Sequence, residues 1–127
     1  MRLLLDTHVF LWFITADPRL PEAFKNAILD TENEAFLSAA SFWEIVVKNQ
    51  LGKLPLPEPP ETYIPKEREL HQILSLPILE SHLVQLSSLP LIHRDPFDRI
   101  LICQAIANAM TIATVDPIVK KYDVVCL

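Results

Sequence analysis

Glycine is almost absent from this chain of 127 residues: Gly52 is the only one. A Walker loop, a dinucleotide-binding turn and the nucleophile elbow of Ser–His–Asp hydrolases each need several glycines, where backbone bends tightly or approaches a ligand. All three are therefore excluded. Cysteine is nearly as scarce. Cys103 and Cys126 have neither a metal-ligand spacing nor the density of a disulfide framework. Cys103 falls in an apolar helical run and reads as a small core residue, so a reduced, cytoplasmic setting is the default expectation. No apolar run approaches the about 20 residues that a membrane span requires. The stretch from Arg2 to Ile14 imitates a secretory leader, but Asp6 and His8 interrupt it, and it reads as a buried strand followed by a helix. A net charge of −5 leaves no broad basic face for duplex DNA. It does not exclude an enzyme of nucleic acids, because bound metal ions supply positive charge locally.

Half of the chain is hydrophobic and 21% is charged, the balance of a globular protein. Its length suits one domain, residues 1–127, burying roughly two-thirds of the unfolded surface. Short apolar runs at Arg2–Leu5, Ala35–Leu37, Leu76–Ile78, Thr111–Thr114 and Val124–Cys126 read as strands. Helices are expected over Thr7–Ile14, Pro21–Asp30, from Ser38 or Ser41 to about Gln50, Glu61–Leu74, Leu79–Leu86, Pro96–Asn108 and briefly over Pro117–Tyr122. Gly52 is placed to end the third of these as a C-terminal cap. The prolines of Leu54–Pro60 mark a stiff loop. Strands alternate with helices and no hairpin signal appears. The predicted class is α/β, a three-layer α/β/α fold around a parallel sheet of about five strands.

Against this apolar background, Asp6, Glu44, Asp98 and Asp116 stand where strands end or helices begin. Ligands of open parallel sheets bind beyond the carboxyl ends of the strands, and helix N-termini favour anions. Each acid also has a local explanation. Asp6 suits an N-cap, Ser41 and Glu44 match a capping box, Asp116 precedes a proline, and Asp98 lies in a first helical turn. Asp95, before Pro96, is the strongest cap of all. Separate causes for four acids at one rim are less economical than a shared one. Carboxylate oxygens at that rim suit Mg²⁺ or Mn²⁺, which would activate water for attack on a phosphodiester. The histidines have no zinc-site spacing, and His8 and His93 lie close enough in sequence to the acids for an outer supporting role.

The segments Leu-Leu-Leu-Asp6-Thr7, Ser41-Phe-Trp-Glu44-Ile, His93-Arg-Asp-Pro-Phe-Asp98-Arg-Ile-Leu and Ala113-Thr-Val-Asp116 together resemble a PIN domain, and more narrowly the VapC toxins of bacterial type II toxin–antitoxin modules. The resemblance runs the length of the chain in order. It implies a metal-dependent endoribonuclease whose Asp6, Glu44, Asp98 and Asp116 bind Mg²⁺ or Mn²⁺, with Thr7 and Thr114 as accompanying hydroxyls. Asp95 is an additional acid, and the family pattern fits Asp98 better as the metal ligand. The resemblance also implies a cognate antitoxin and a homodimer within a larger complex.

RNA contact needs cations near the acids, and Lys48, Lys53, Arg94 and Arg99 are the candidates, Arg99 being equally suited to pair with a carboxylate. Trp12, Phe13 and Trp43 are expected in core or interface packing. Two alternatives stay open: a PIN-like partner-binding module without catalysis, and a phosphatase with Asp6 as nucleophile. The latter would want a second acid two residues on, where His8 stands.

Overall fold

Three successive leucines show how the layers arise. In the computed structural model, which describes residues 1–127, Leu3, Leu4 and Leu5 are each 0% exposed. They lie in strand β1 (Arg2–Leu5), where side chains alternate between faces. Leu3 and Leu5 enter one apolar cluster with Val9, Phe10, Ile45, Ile64 and Ile73. Leu4 enters the other, with Leu101, Ile102, Met110 and Ile112. Full burial of such a side chain stabilises the fold by about 2 kcal/mol.

The order is β1, α1 (Thr7–Ile14), α2 (Glu22–Leu29), β2 (Glu34–Ser38), α3 (Ala39–Gln50), α4 (Pro60–Leu70), β3 (Leu74–Leu76), α5 (Glu80–Leu86), α6 (Pro96–Asn108) and β4 (Thr111–Ala113), then a 3-10 turn at Val119–Lys121. The strands lie in the order β3-β2-β1-β4, and every pairing is parallel. All strand C-termini therefore share one rim. No helix is long and apolar enough to cross a membrane.

The expected fifth strand is reduced to one bridge, Ile112 with Cys126. Val124 N–H bonds Tyr122 O just before it, a turn too tight to lie alongside β4, so one residue pairs. The third strand lies at Leu74–Leu76, two residues before its expected place, because α4 stops at Leu70. There Gln72 takes a left-handed φ of 57° while Ile73 N–H bonds Arg68 O at 2.8 Å and Gln72 N–H bonds Glu69 O at 3.1 Å. That pair of bonds is a Schellman motif with glutamine where glycine is usual. Gly52 (φ 72°) closes α3 as expected, with Lys53 N–H on Lys48 O at 2.9 Å. Ala16 and Ala109 adopt the same conformation after α1 and α6, with φ of 52° and 50°.

Candidate metal-binding acidic site

The rim beyond β1 and β4 is built one element at a time. Asp6 follows β1 directly, its N–H bonding Ala113 O at 3.1 Å and so extending the β1–β4 ladder. Its Oδ1 accepts the Val9 N–H at 2.7 Å, so the residue does cap α1. Capping leaves carboxylate capacity over, and the side chain is 6% exposed. Burial raises its pKa above the ordinary value, opposed by hydrogen bonds from Thr114 and Val9, while Asp116 adds to the rise.

Glu44, 2% exposed, projects from α3. Its Oε1 accepts the Thr7 hydroxyl at 2.7 Å and its Oε2 accepts Lys48 Nζ at 2.5 Å, one helical turn on. The capping-box account of Glu44 fails. Ser38 caps α3 through the Ala40 N–H at 3.0 Å, and Ser41 lies inside the helix. Ser41 Oγ is buried with no hydrogen-bond partner, one turn before Glu44 on the same helical face.

Asp98 and Asp116 meet at His93. Its Nε2 lies 3.1 Å from Asp98 Oδ2 and 2.8 Å from Asp116 Oδ2. One ligand atom from each of these side chains falls within 4.8 Å of the others, and Asp6 and Glu44 lie outside that grouping. Burial pushes the Asp98 carboxyl up to about 7, with Asp95, Glu44 and Asp6 adding negative potential and His93 opposing it. Burial also raises Asp116, but hydrogen bonds from His93 and Ile118 N–H outweigh it and leave the carboxyl below its ordinary range. Asp116 also fixes its own turn, since its Oδ1 accepts Ile118 N–H at 2.8 Å and its N–H bonds Thr114 Oγ1 at 3.0 Å. The acids thus form one field: Asp98 feels Glu44 and Asp6, and Asp6 feels Asp116.

The remaining sequence candidates separate. Asp95 caps α6 through the Phe97 N–H at 2.9 Å and acts on Asp98 through space. Arg99 pairs with no carboxylate. It is buried, donating to Pro90 O at 2.8 Å, Leu89 O at 3.3 Å and the Tyr122 hydroxyl at 3.3 Å. Lys48 is committed to Glu44, which leaves Lys53 and Arg94 exposed. Trp43 is not core: it is 54% exposed, with its ring edge-to-face on Phe97 at 5.0 Å. Trp12 lies beneath the Arg19 guanidinium and Phe13 against His71, both half-buried. Sequence reasoning passed over Tyr122 and assigned His93 only an outer place. No local pattern marks Tyr122, whose partners lie 23 to 32 residues away, while His93 meets Asp95 and Asp98 locally and reaches Asp116 across 23 residues.

A profile of the PIN domain matches residues 3–125, nearly the whole chain. The chain belongs to the PIN domain family. A similar curated protein is "Ribonuclease VapC16" of Mycobacterium tuberculosis, 53% identical over 38 residues. That match covers 30% of this chain and only 27% of the relative's length. The fold is also similar to that of solved structures. One is VapBC2 from Rickettsia felis bound to a DNA fragment from their promoter, with a TM-score of 0.75, 14% identity, and 100% and 98% of the two chains covered. Another is VapBC-1 from nontypeable Haemophilus influenzae, with a TM-score of 0.66, 16% identity, and 100% and 97% covered.

The residues of this PIN domain suit a hard divalent cation. Two carboxylates, Asp98 and Asp116, lie in ligand range of one another beside His93, and carboxylate oxygen suits hard divalent cations. Burial first, and then the charge of Asp95, Glu44 and Asp6, raises the Asp98 carboxyl to about 7, and a bound cation would offset both.

Proposed function

We propose that this PIN domain is a metal-dependent endoribonuclease acting as the toxin of a type II toxin–antitoxin pair. The observation that supports the reading is the meeting of Asp98 and Asp116 within ligand range, with Asp6 and Glu44 near enough for their charge to act on Asp98. These four residues would hold Mg²⁺ or Mn²⁺. A divalent ion held there would lower the pKa of a bound water and supply positive charge toward the phosphodiester. The chain's own part is to fix the carboxylates. Val9 N–H holds Asp6, Thr7 and Lys48 hold Glu44, and His93 holds Asp98 and Asp116. No side chain need act as nucleophile. Arg94 and Lys53 offer cations for the RNA backbone, and the exposed face of Trp43 offers a stacking surface.

The likeness to a protein named ribonuclease and to VapBC assemblies supports this reading and a cognate antitoxin; a homodimer within a larger complex and a cytoplasmic location are further parts of the proposal. An acidic pocket suits a basic antitoxin side chain that would displace the ion. The test is incubation of the purified protein with a panel of RNAs, transfer RNA included, in Mg²⁺, in Mn²⁺ and in chelator. Asp6→Asn, prepared identically, is the control. Metal-dependent cleavage absent from the variant is expected. Equal cleavage by both preparations would refute the assignment. Metal uptake without cleavage of any RNA would favour the non-catalytic binding module.

A further inference from the structure

We propose that His93 is a positioning residue of the acidic site, holding Asp98 and Asp116 together through one shared N–H, and is not itself a metal ligand. By distance alone His93 belongs with those two acids as a third candidate ligand. The directions of its hydrogen bonds say otherwise. Asp95 N–H donates to His93 Nδ1 at 3.1 Å, so Nδ1 presents its lone pair. In a neutral imidazole the proton then resides on Nε2, the nitrogen facing Asp98 Oδ2 and Asp116 Oδ2. A nitrogen carrying a proton has no lone pair for an ion. Moving that proton to Nδ1 would set two N–H groups against each other at Asp95.

The ring is not free to turn and relieve this. His93 is 9% exposed, and its backbone N–H bonds the Tyr122 hydroxyl at 2.7 Å, alongside Ile92 N–H at 3.0 Å. The same hydroxyl donates to Pro90 O at 2.7 Å, and Arg99 donates to Pro90 O and Tyr122. Arg99 and Tyr122 therefore clamp the segment before α6 and fix where His93 points. The shared N–H bridges Asp98 and Asp116, which approach from α6 and from the turn after β4. Each carboxylate has further acceptor directions open to an ion. Outer partners of this kind typically change metal affinity by about 10- to 100-fold when removed.

The inference rests on the acidic site being a metal site, and the experiment keeps the two apart. Mn²⁺ is titrated into the full chain, wild type, His93→Ala and His93→Gln, with affinity read by calorimetry. Pulsed electron paramagnetic resonance on the Mn²⁺-loaded wild type then reads nitrogen coordination. The expected results are no directly bonded nitrogen in the wild type, an affinity about 10- to 100-fold weaker in His93→Ala, and recovery of most of it in His93→Gln, whose amide N–H reaches a similar place. A bonded-nitrogen coupling in the wild type that His93→Ala removes overturns the proposal in favour of direct ligation. Equal affinity in wild type and His93→Ala overturns it in favour of a packing role. A wild type that takes up no Mn²⁺ overturns the metal site itself, and this inference with it. The wild-type spectrum decides between ligand and positioning residue even if His93→Ala fails to fold.

Discussion

Replacing Asp98 by Asn should stabilise the metal-free protein while abolishing its response to metal. The Asp98 carboxyl is carried from 3.8 to about 7, which disfavours its ionised form by about 4 kcal/mol at ~1.4 kcal/mol per tenfold change in proton affinity. The side chain keeps 20% of its exposure, and solvent screening reduces the usable part to about 2 kcal/mol. The sign follows from proton counting. Between 3.8 and about 7 the folded state holds a proton on Asp98 that the unfolded chain has released. Stability therefore falls as pH rises through that window and levels off above it. Asn has no charge to bury, so the two proteins should differ little near about pH 4. Near about pH 8 in chelator, Asp98→Asn should melt about 6 to 10 °C higher. Saturating Mg²⁺ or Mn²⁺ should invert the order, since binding at about 100 times the dissociation constant adds about 2.7 kcal/mol to the wild type only. Differential scanning calorimetry across this pH range, with and without metal, tests the chain of reasoning. A variant no more stable than wild type in chelator near about pH 8, or a gap that does not change with pH, would refute it.

Asp6→Asn should keep the α1 cap and melt no lower than wild type in chelator, whereas Asp6→Ala should lose about 1 kcal/mol to the missing cap; thermal melts compare them. Tyr122→Phe strands the Ile92 and His93 N–H groups and should cost about 1 to 3 kcal/mol, seen as a lower urea midpoint with unchanged slope. Ala109→Gly should stabilise by about 0.5 to 1 kcal/mol in the same assay, because relief of a left-handed alanine exceeds glycine's extra backbone entropy. Trp43→Ala should weaken RNA binding by about 1 to 3 kcal/mol, measured by fluorescence anisotropy, while the melting temperature stays within about 2 °C.

Arg99 and Trp43 show what local reading leaves open. An arginine one residue from a proposed ligand looks like an electrostatic partner, yet it lies under the loop because the Leu89 and Pro90 carbonyls need donors there. Trp43, expected in core or interface packing, is not core: the 100° turn between Trp43 and Glu44 sends the carboxylate inward and leaves the indole exposed, as an interface residue would be.

What the sequence alone determined is whatever depends on neighbours along the chain. Alternating apolar runs and caps specified a parallel α/β fold. Gly52 marked the end of α3, and Asp95-Pro96 marked the start of α6. The four acids were visible because charge inside an apolar run is conspicuous. What only the tertiary structure decided depends on groups far apart in sequence. The strand order β3-β2-β1-β4 sets Asp6 beside the turn carrying Asp116. The Tyr122 hydroxyl fixes His93 across 29 residues, and Thr7 reaches Glu44 across 37. Ala16, Gln72 and Ala109 close helices in the conformation glycine usually takes, so no glycine announced those ends and α4 was read too long. All three are exposed, and their left-handed backbone goes with local closing bonds, Asp17 N–H to Trp12 O, Ile73 N–H to Arg68 O and Met110 N–H to Ala105 O, which any residue's backbone can make.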